Sequence, residues 1–393
     1  MAFPAKPNTK RNVYLDHAAT TPIDEAAFKA MQPYLTKKFA NPSGLYAAAV
    51  EARRAVEEAR RTVAEHLSAQ TDAVFFTGSG TESTNLAIFG IARGLEKRKM
   101  GRLGRPHAIT TSIEHHAVLR PMQQLEKDGW DVTYVPPDVY GQVPVTDVKK
   151  ALRPETALVS IMYANNEIGT IQPIADMGRE ILKWRKEQRT PYPYFHTDAC
   201  QAAGYLDLSV DRLHVDLMSL NGSKIYGPKG VGVLYKRRGV ELEPIMYGGG
   251  QEMGLRSGTE NVPVIVGMAK AMEIMRANQE SRIHDAWIGT GRNQERLRDF
   301  FWEKILRKIP DVVLNGPPIH FSPFEGEREG VFGGKALGIK TEFLEKEVRA
   351  AKRPHLTSPG MGGTISRLPN NLNITFKGVD AEALILYLDE YGI

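Results

Sequence analysis

Tyr194-Phe195-His196-Thr197-Asp198-Ala199-Cys200-Gln201 and Asp216-Leu217-Met218-Ser219-Leu220-Asn221-Gly222-Ser223-Lys224-Ile225-Tyr226-Gly227-Pro228-Lys229-Gly230 are the two stretches that decide the fold. Each opens as a run of strand length and closes in small and polar turn residues. The first leaves a carboxylate, Asp198, at its strand end. The second leaves a lysine, Lys224, in a glycine-flanked turn. Alone, Asp198 reads as a turn residue and Lys224 as a solvated surface lysine. The surrounding chain decides against that reading.

Working outward, short β-rich runs alternate with amphipathic helical ones. Strands are expected at Val74-Phe76, His107-Thr111, Val132-Val135, Leu158-Met162, Tyr194-Asp198, Leu217-Leu220 and Gly232-Tyr235. Tyr46 to Leu67 spaces Val56, Ala59, Val63 and Leu67 at three and four residues, a helical stripe, and Ala175 to Arg185 also reads as helix. This alternation predicts an α/β domain with a mainly parallel sheet. Ligands of such sheets sit beyond the carboxyl ends of the strands, where both Asp198 and Lys224 fall. After about Glu260 a long helical stretch, Val264 to Lys304, leads into a strand, Leu372-Phe376, and a helix, Asp380-Glu390. The expected division is a large α/β domain over 13–262 and a smaller α+β domain over 263–393, with 1–12 packed on the latter. Within it, a Gly-, Pro- and charge-rich insertion runs from Pro318 to Ser366 and holds one candidate helix, Thr341 to Ala351.

At 393 residues, 42% hydrophobic and 25% charged, the composition is that of a globular protein of two domains. A net charge of +5 is too small to argue for direct nucleic-acid binding, and Lys97-Arg98-Lys99 with Arg102 and Arg105 reads as a solvated loop. Met1 to Asn12 has no apolar run behind it, and Val262 to Met275 is interrupted by Lys270 and too short to span a bilayer, so a cytoplasmic location is the default. Cys200 is the single cysteine, and His115 and His116 are adjacent, which suits neither a disulfide scaffold nor a metal site.

An acid and an amine at neighbouring strand ends are what pyridoxal 5'-phosphate (PLP) requires. The lysine holds the aldehyde as a Schiff base, and the acid keeps the pyridine nitrogen protonated so that the ring draws electrons. Phe75-Phe76-Thr77-Gly78-Ser79-Gly80-Thr81-Glu82-Ser83 joins a strand to a helix through small residues, where free N–H groups and the Thr81 hydroxyl suit a phosphate. His115 begins a helix, where an imidazole either stacks on a ring and moves protons or satisfies the helix end.

With these segments the chain resembles the cysteine desulfurases of the NifS/IscS type, in the class V aminotransferase group of PLP enzymes. The resemblance runs in order through Tyr14-Leu15-Asp16-His17-Ala18-Ala19-Thr20-Thr21-Pro22, Asn41-Pro42-Ser43, Gly80-Thr81-Glu82-Ser83, Glu114-His115, Asn165-Asn166-Glu167-Ile168-Gly169 and the two opening stretches. It continues through Gly248-Gly249-Gly250-Gln251-Glu252, Arg256-Ser257-Gly258-Thr259 and Leu368-Pro369-Asn370-Asn371-Leu372-Asn373. It implies the aspartate-aminotransferase-like PLP fold (fold type I) and a homodimer. The implied reaction converts L-cysteine to L-alanine, with the sulfur carried as an enzyme persulfide to an acceptor such as an iron–sulfur scaffold protein or a thiolation pathway.

By the same resemblance Lys224 bonds the cofactor, Asp198 pairs with the pyridine nitrogen and Gln201 with the ring's phenolic oxygen. His115 stacks over the ring and assists proton transfer, and Asn166 sits near the substrate carboxylate and the cofactor. Gly80, Thr81 and Ser223, with Asn221 and Gly222 in the same turn, hold the phosphate, and Thr259 reaches in from the other subunit. The family usually has Ser-Gly-His before the lysine, where this chain has Asn221-Gly222-Ser223. It usually has Asn-Pro-Ser-Ser-x-His where this chain has Asn41-Pro42-Ser43-Gly44-Leu45-Tyr46. In relatives the nucleophilic cysteine and the arginine for the substrate carboxylate follow the segment that here ends at Ile393, so the sequence is expected to be an incomplete desulfurase. Cys200, between Asp198 and Gln201, is expected to be a buried small residue and not a substitute nucleophile. Two other readings stand beside it. One is a PLP-dependent lyase or aminotransferase that uses no cysteine, and the other a PLP-binding subunit completed by a separate chain.

Overall fold

The computed structural model describes residues 12–97, 105–280, 291–319 and 366–393. Arg98, Lys99, Arg102, the helix expected over Thr341–Ala351 and nearly all of the insertion lie outside them, as do residues 1–11. Two helices, α1 (Glu25–Thr36) and α2 (Ala47–Leu67), precede the sheet. Then β1 (Val74–Thr77), α3 (Gly80–Lys97), β2 (His107–Thr111), α4 (His116–Lys127), β3 (Asp131–Val135), α5 (Val145–Ala151) and β4 (Thr156–Ser160) follow. Next come α6 (Ile174–Gln188), β5 (Tyr194–Asp198), α7 (Val210–Leu213), β6 (Leu217–Asn221), β7 (Gly232–Lys236) and α8 (Val262–Glu280). The last elements are α9 (Gly291–Lys308), β8 (Val312–Leu314), β9 (Ile374–Phe376) and α10 (Ala381–Glu390).

Strands β1 to β7 form one sheet in the order β1-β7-β6-β5-β4-β2-β3. Strand β7 is antiparallel to both neighbours, and every other pairing is parallel. The mainly parallel sheet expected from the sequence is therefore present. Apart from the edge strand β3, its strands are almost entirely buried on both faces, to which successive side chains point in turn. On β5, Tyr194 packs into the core beneath α3 and α4, while Phe195 packs into the core beneath α2, α6 and α8. Met218 and Leu217 of β6 divide the same way. The α2 stripe works as its spacing predicts: Val56, Ala59, Val63 and Leu67 are all buried, and Ser68 ends the helix in the left-handed region.

Several element bounds shift from the sequence reading, and two of these shifts bear on the site. Strand β4 stops at Ser160, not Met162, because the Met162 N–H turns out of the ladder to donate to Glu114 Oε1 at 2.9 Å. Strand β9 starts at Ile374, not Leu372, because Asn371 and Asn373 turn their amides onto the 166–167 main chain. Of the helical stretch expected over Val264–Lys304, the described residues are helical in α8 and α9, and residues 281–290 lie outside the described residues. The antiparallel pair β8–β9 forms a separate small sheet, with α9 before it and α10 after it.

Candidate active site

Strands β1, β2, β4, β5 and β6 all run in one direction, so their C-terminal ends converge on one edge of the sheet, which is where an α/β sheet leaves a crevice. A cavity of about 650 Å³ opens there, a size typical of small-molecule sites. Gly80, Thr81, His115, Asn166, Asp198, Gln201, Asn221 and Lys224 all line it. Eight residues spread over 145 positions of sequence are thus brought together by the sheet.

Lys224 follows β6 in a single tight turn and is half-buried. Its Nζ donates to the carbonyl oxygens of Ala18 and Ala19, at 2.5 Å each. Burial pushes its ammonium below the ordinary lysine range, only partly offset by the negative charge of Asp16 and Asp198. A depressed amine is the more nucleophilic one. Asp198, at the end of β5, is buried, and one carboxylate oxygen accepts the Cys200 N–H at 3.0 Å. Gln201 donates from Nε2 to the same Ala18 carbonyl that holds Lys224.

The start of α3 is organised as a capping box. Ser79 Oγ accepts the Glu82 N–H at 3.1 Å, while Glu82 Oε2 reaches back to the Gly78 N–H at 2.8 Å. Arg256 fixes Glu82 from the other side at 2.7 Å. The first-turn N–H groups at Gly80 and Thr81 have no earlier carbonyl of the helix to bond, and both residues line the cavity. A Cβ on Gly80 would lie 2.6 Å from Cys200 Sγ, so only glycine allows the helix to begin so close to the strand ends.

His115 is the N-cap of α4, and its Nδ1 accepts the Ala117 N–H at 3.1 Å. That bond leaves the neutral ring's proton on Nε2. The cap role considered from the sequence is therefore filled, and the same residue also lines the cavity. Asn165 Oδ1 accepts the N–H groups of Glu167 and Ile168, which shapes the loop that carries Asn166 into the cavity.

Three expected residues lie elsewhere. Gly222 is packed behind the wall, where a Cβ would stand 2.7 Å from the Pro228 carbonyl. Ser223 does not line the cavity, because its N–H and Oγ are both held by Asn221 Oδ1, at 3.2 Å each. The Asn221 side chain is what faces the cavity in that turn. Thr259 is exposed and outside the cavity of this chain.

The sequence reading missed two contributors. Glu114 is buried; its Oε1 accepts from Thr111 Oγ1 and the Met162 N–H, while Oε2 has no partner among the described residues. Burial, reinforced by the nearby Asp198 charge, pushes its carboxyl up to about 8. Its place in the Glu114-His115 pair was the only available signal. The Ala18 and Ala19 carbonyls had only their place in the Tyr14–Pro22 segment, since main-chain oxygens are the same in every residue. Cys200 is not the fully buried residue expected: it is half-buried and lines the same cavity. Loss of water around it, with Asp198 beside it, pushes its thiol well above the ordinary range, which suppresses the thiolate.

Comparison with known proteins follows the same lines. The family model for aminotransferase class-V matches residues 13–318. The chain is 41% identical over 384 residues to the cysteine desulfurase IscS of Dictyoglomus turgidum, covering 98% of this chain and 80% of that protein. Its fold superposes on a solved NifS-like protein with a TM-score of 0.78 at 34% identity, covering 98% of this chain and 87% of the other. A solved structure of SspA in complex with cysteine matches with a TM-score of 0.65 at 38% identity, covering 77% of this chain and 79% of SspA.

Proposed function

The chain belongs to the aminotransferase class-V family and, within it, to the PLP-dependent cysteine desulfurases, and from that premise we propose how its own residues divide the work. The observation that carries the reading is the Lys224 amine, held below its ordinary range, sharing one cavity with the buried Asp198 carboxylate. The donor set fits PLP. Lys224 would hold the aldehyde, Asp198 would pair with the pyridine nitrogen and Gln201 with the phenolic oxygen. The Gly80 and Thr81 N–H groups, the Thr81 hydroxyl and the Asn221 amide take the phosphate. Bound there, PLP supplies an electron-withdrawing ring conjugated to the substrate's amine. Ser223 supports Asn221 from behind, Gly222 lets the turn close, and Thr259 is assigned to the second subunit of a homodimer.

The substrate we propose is L-cysteine, with Asn166 as a donor to its carboxylate. His115, carrying its proton on Nε2, and the Lys224 amine are the groups placed to move protons to and from the substrate. In the overall reaction the C–S bond of L-cysteine breaks and an S–S bond forms on an acceptor thiol, giving L-alanine and a persulfide. Cys200 is the single cysteine of these 393 residues, and its suppressed thiolate makes it a poor nucleophile. We therefore place the receiving thiol outside them, passing sulfur to an acceptor protein such as an iron–sulfur scaffold. A lyase or aminotransferase reading is not favoured, since the relatives at this identity are named cysteine desulfurases. The large unit over 13–262 is read as the cofactor-binding domain and 263–393 as the smaller one.

Borohydride reduction of the PLP-loaded chain, followed by peptide mass mapping, tests the assignment. The expected adduct is on Lys224, and Lys224→Ala abolishes it. An adduct on another lysine, or none, overturns the reading. Alanine release from L-cysteine with added thiol acceptor then tests the substrate.

A further inference from the structure

Three segments from distant parts of the chain meet beside Asn166, and residues 370–373 of the last of them line the same cavity. They are the 165–170 loop, the 315–317 turn before the insertion, and the 366–373 stretch after it. Leu368 N donates to Gly169 O at 2.8 Å, and Ile171 N to Ser366 O at 2.9 Å. Gly169 and Gly316 both sit in the left-handed region. A Cβ on either would stand 2.7 Å from Asn371 or 2.6 Å from the Ile168 carbonyl, respectively. The junction is packed to backbone contact.

At its centre is Arg367, a buried arginine whose partners among the described residues are all neutral oxygens. Its guanidinium donates to Pro317 O at 2.7 and 3.0 Å, to Asn315 O, and to Asn371 Oδ1 at 3.2 Å. Because Oδ1 of Asn371 faces the guanidinium, its amide nitrogen must face the other way. That Nδ2 donates to Glu167 O at 2.9 Å and to Asn166 O at 3.4 Å. Asn373 repeats the pattern: its Oδ1 accepts from Asn315 Nδ2 at 2.8 Å, and its Nδ2 donates to Glu167 O at 3.2 Å. The loop that carries Asn166 into the cavity is therefore held by amides from the C-terminal part of the chain, and a cation sets the orientation of one of them, Asn371.

We propose that Arg367 and Asn371 are positioning residues for the amino-acid substrate, acting through the main chain of Asn166 and Glu167. This rests on the proposed role of Asn166. Neither residue belongs to the PLP-holding set, so their effect falls on the amino acid and spares the cofactor. A residue that served stability alone would not separate the two.

The test titrates the PLP-loaded chain with L-cysteine and with L-alanine, following the cofactor's visible absorbance, and measures PLP affinity separately by fluorescence. Asn371→Asp keeps the size and the arginine contact but loses both N–H donors; Arg367→Lys keeps the buried cation but loses the fork that orients Asn371. Both variants are expected to raise the dissociation constant for either amino acid by about tenfold or more, with PLP affinity within about twofold of the parent. Equal losses of PLP and amino-acid affinity, or unchanged amino-acid affinity in both variants, overturn the proposal. A parent with no absorbance response to either amino acid, or an Asn166→Ala variant that binds them as the parent does, refutes the underlying site reading and this inference with it. A responsive parent and a defective Asn166→Ala variant, with Asn371→Asp and Arg367→Lys unchanged, refute this inference alone.

Discussion

Glu114→Gln should remove a pH dependence of stability that the fold places beside the active site. In the folded chain the Glu114 carboxyl is pushed from its ordinary 4.5 up to about 8 by burial, whereas in the unfolded chain it returns to the ordinary value. Below pH 4.5 both states hold the proton and its stabilising contribution is fully present. Between pH 4.5 and about 8 only the folded state holds it, so stability falls by about 1.4 kcal/mol per pH unit. The loss is complete above the folded value and reaches about 5 kcal/mol as an order of magnitude, of which about 3 kcal/mol has been lost by pH 7. Glutamine mimics the neutral acid: its carbonyl can keep the Thr111 and Met162 donors, and its amide replaces the partnerless oxygen. Urea unfolding of parent and variant from pH 5 to 9 should therefore show a gap that shifts steadily toward the variant as pH rises. Difference infrared spectra should show a protonated-carboxyl band at pH 7 in the parent that is missing from the variant. A gap that stays flat across that range, with no such band, would refute the argument.

Acid should act through His196, held between Ser160 and Ser219 hydroxyls and pushed by burial down to about 3. Its contribution is intact above pH 6.5 and lost as pH falls from there toward 3, so His196→Asn should flatten the acid limb of the unfolding profile. Arg60→Ala should cost about 3–5 kcal/mol, because it strands the buried Glu252 carboxylate that Arg60 meets at 2.8 Å through two nitrogens; denaturant midpoints would show it, and a change under 1 kcal/mol would argue that water replaces the pair. Gly169→Ala should cost at least roughly 1–2 kcal/mol from its left-handed backbone alone, and it should also weaken amino-acid binding, since the new methyl displaces Asn371. Cys200 should react slowly with thiol reagents in the folded chain at pH 8 and faster on unfolding, and Cys200→Ala should leave sulfide release unchanged; a fast-reacting native thiol would contradict its suppressed thiolate.

Much of this protein is local information. The strand-length runs ending at Asp198 and Lys224, the helical spacing from Val56 to Leu67 and the small-residue turn at Gly78–Gly80 are each readable over a few positions. They determine strand, helix and turn through side-chain periodicity and backbone freedom, and the order of the motifs determines the cofactor and the family. What the tertiary structure alone decided is summed over distance. No residue code announces that the Ala18 and Ala19 carbonyls hold Lys224, since that contact is made by main chain. Glu114 is a glutamate like any other until the β4 end closes over it and removes its water. Ser223 reads as a phosphate ligand until Asn221 is seen to occupy its hydroxyl. Asn371 reads as one polar residue among several until Arg367 fixes which end of its amide faces the Asn166 loop. Burial and hydrogen-bond direction depend on how the whole chain packs, with contacts such as Lys224 to Ala18 and Asn371 to Glu167 joining distant segments, and only the folded chain sets them.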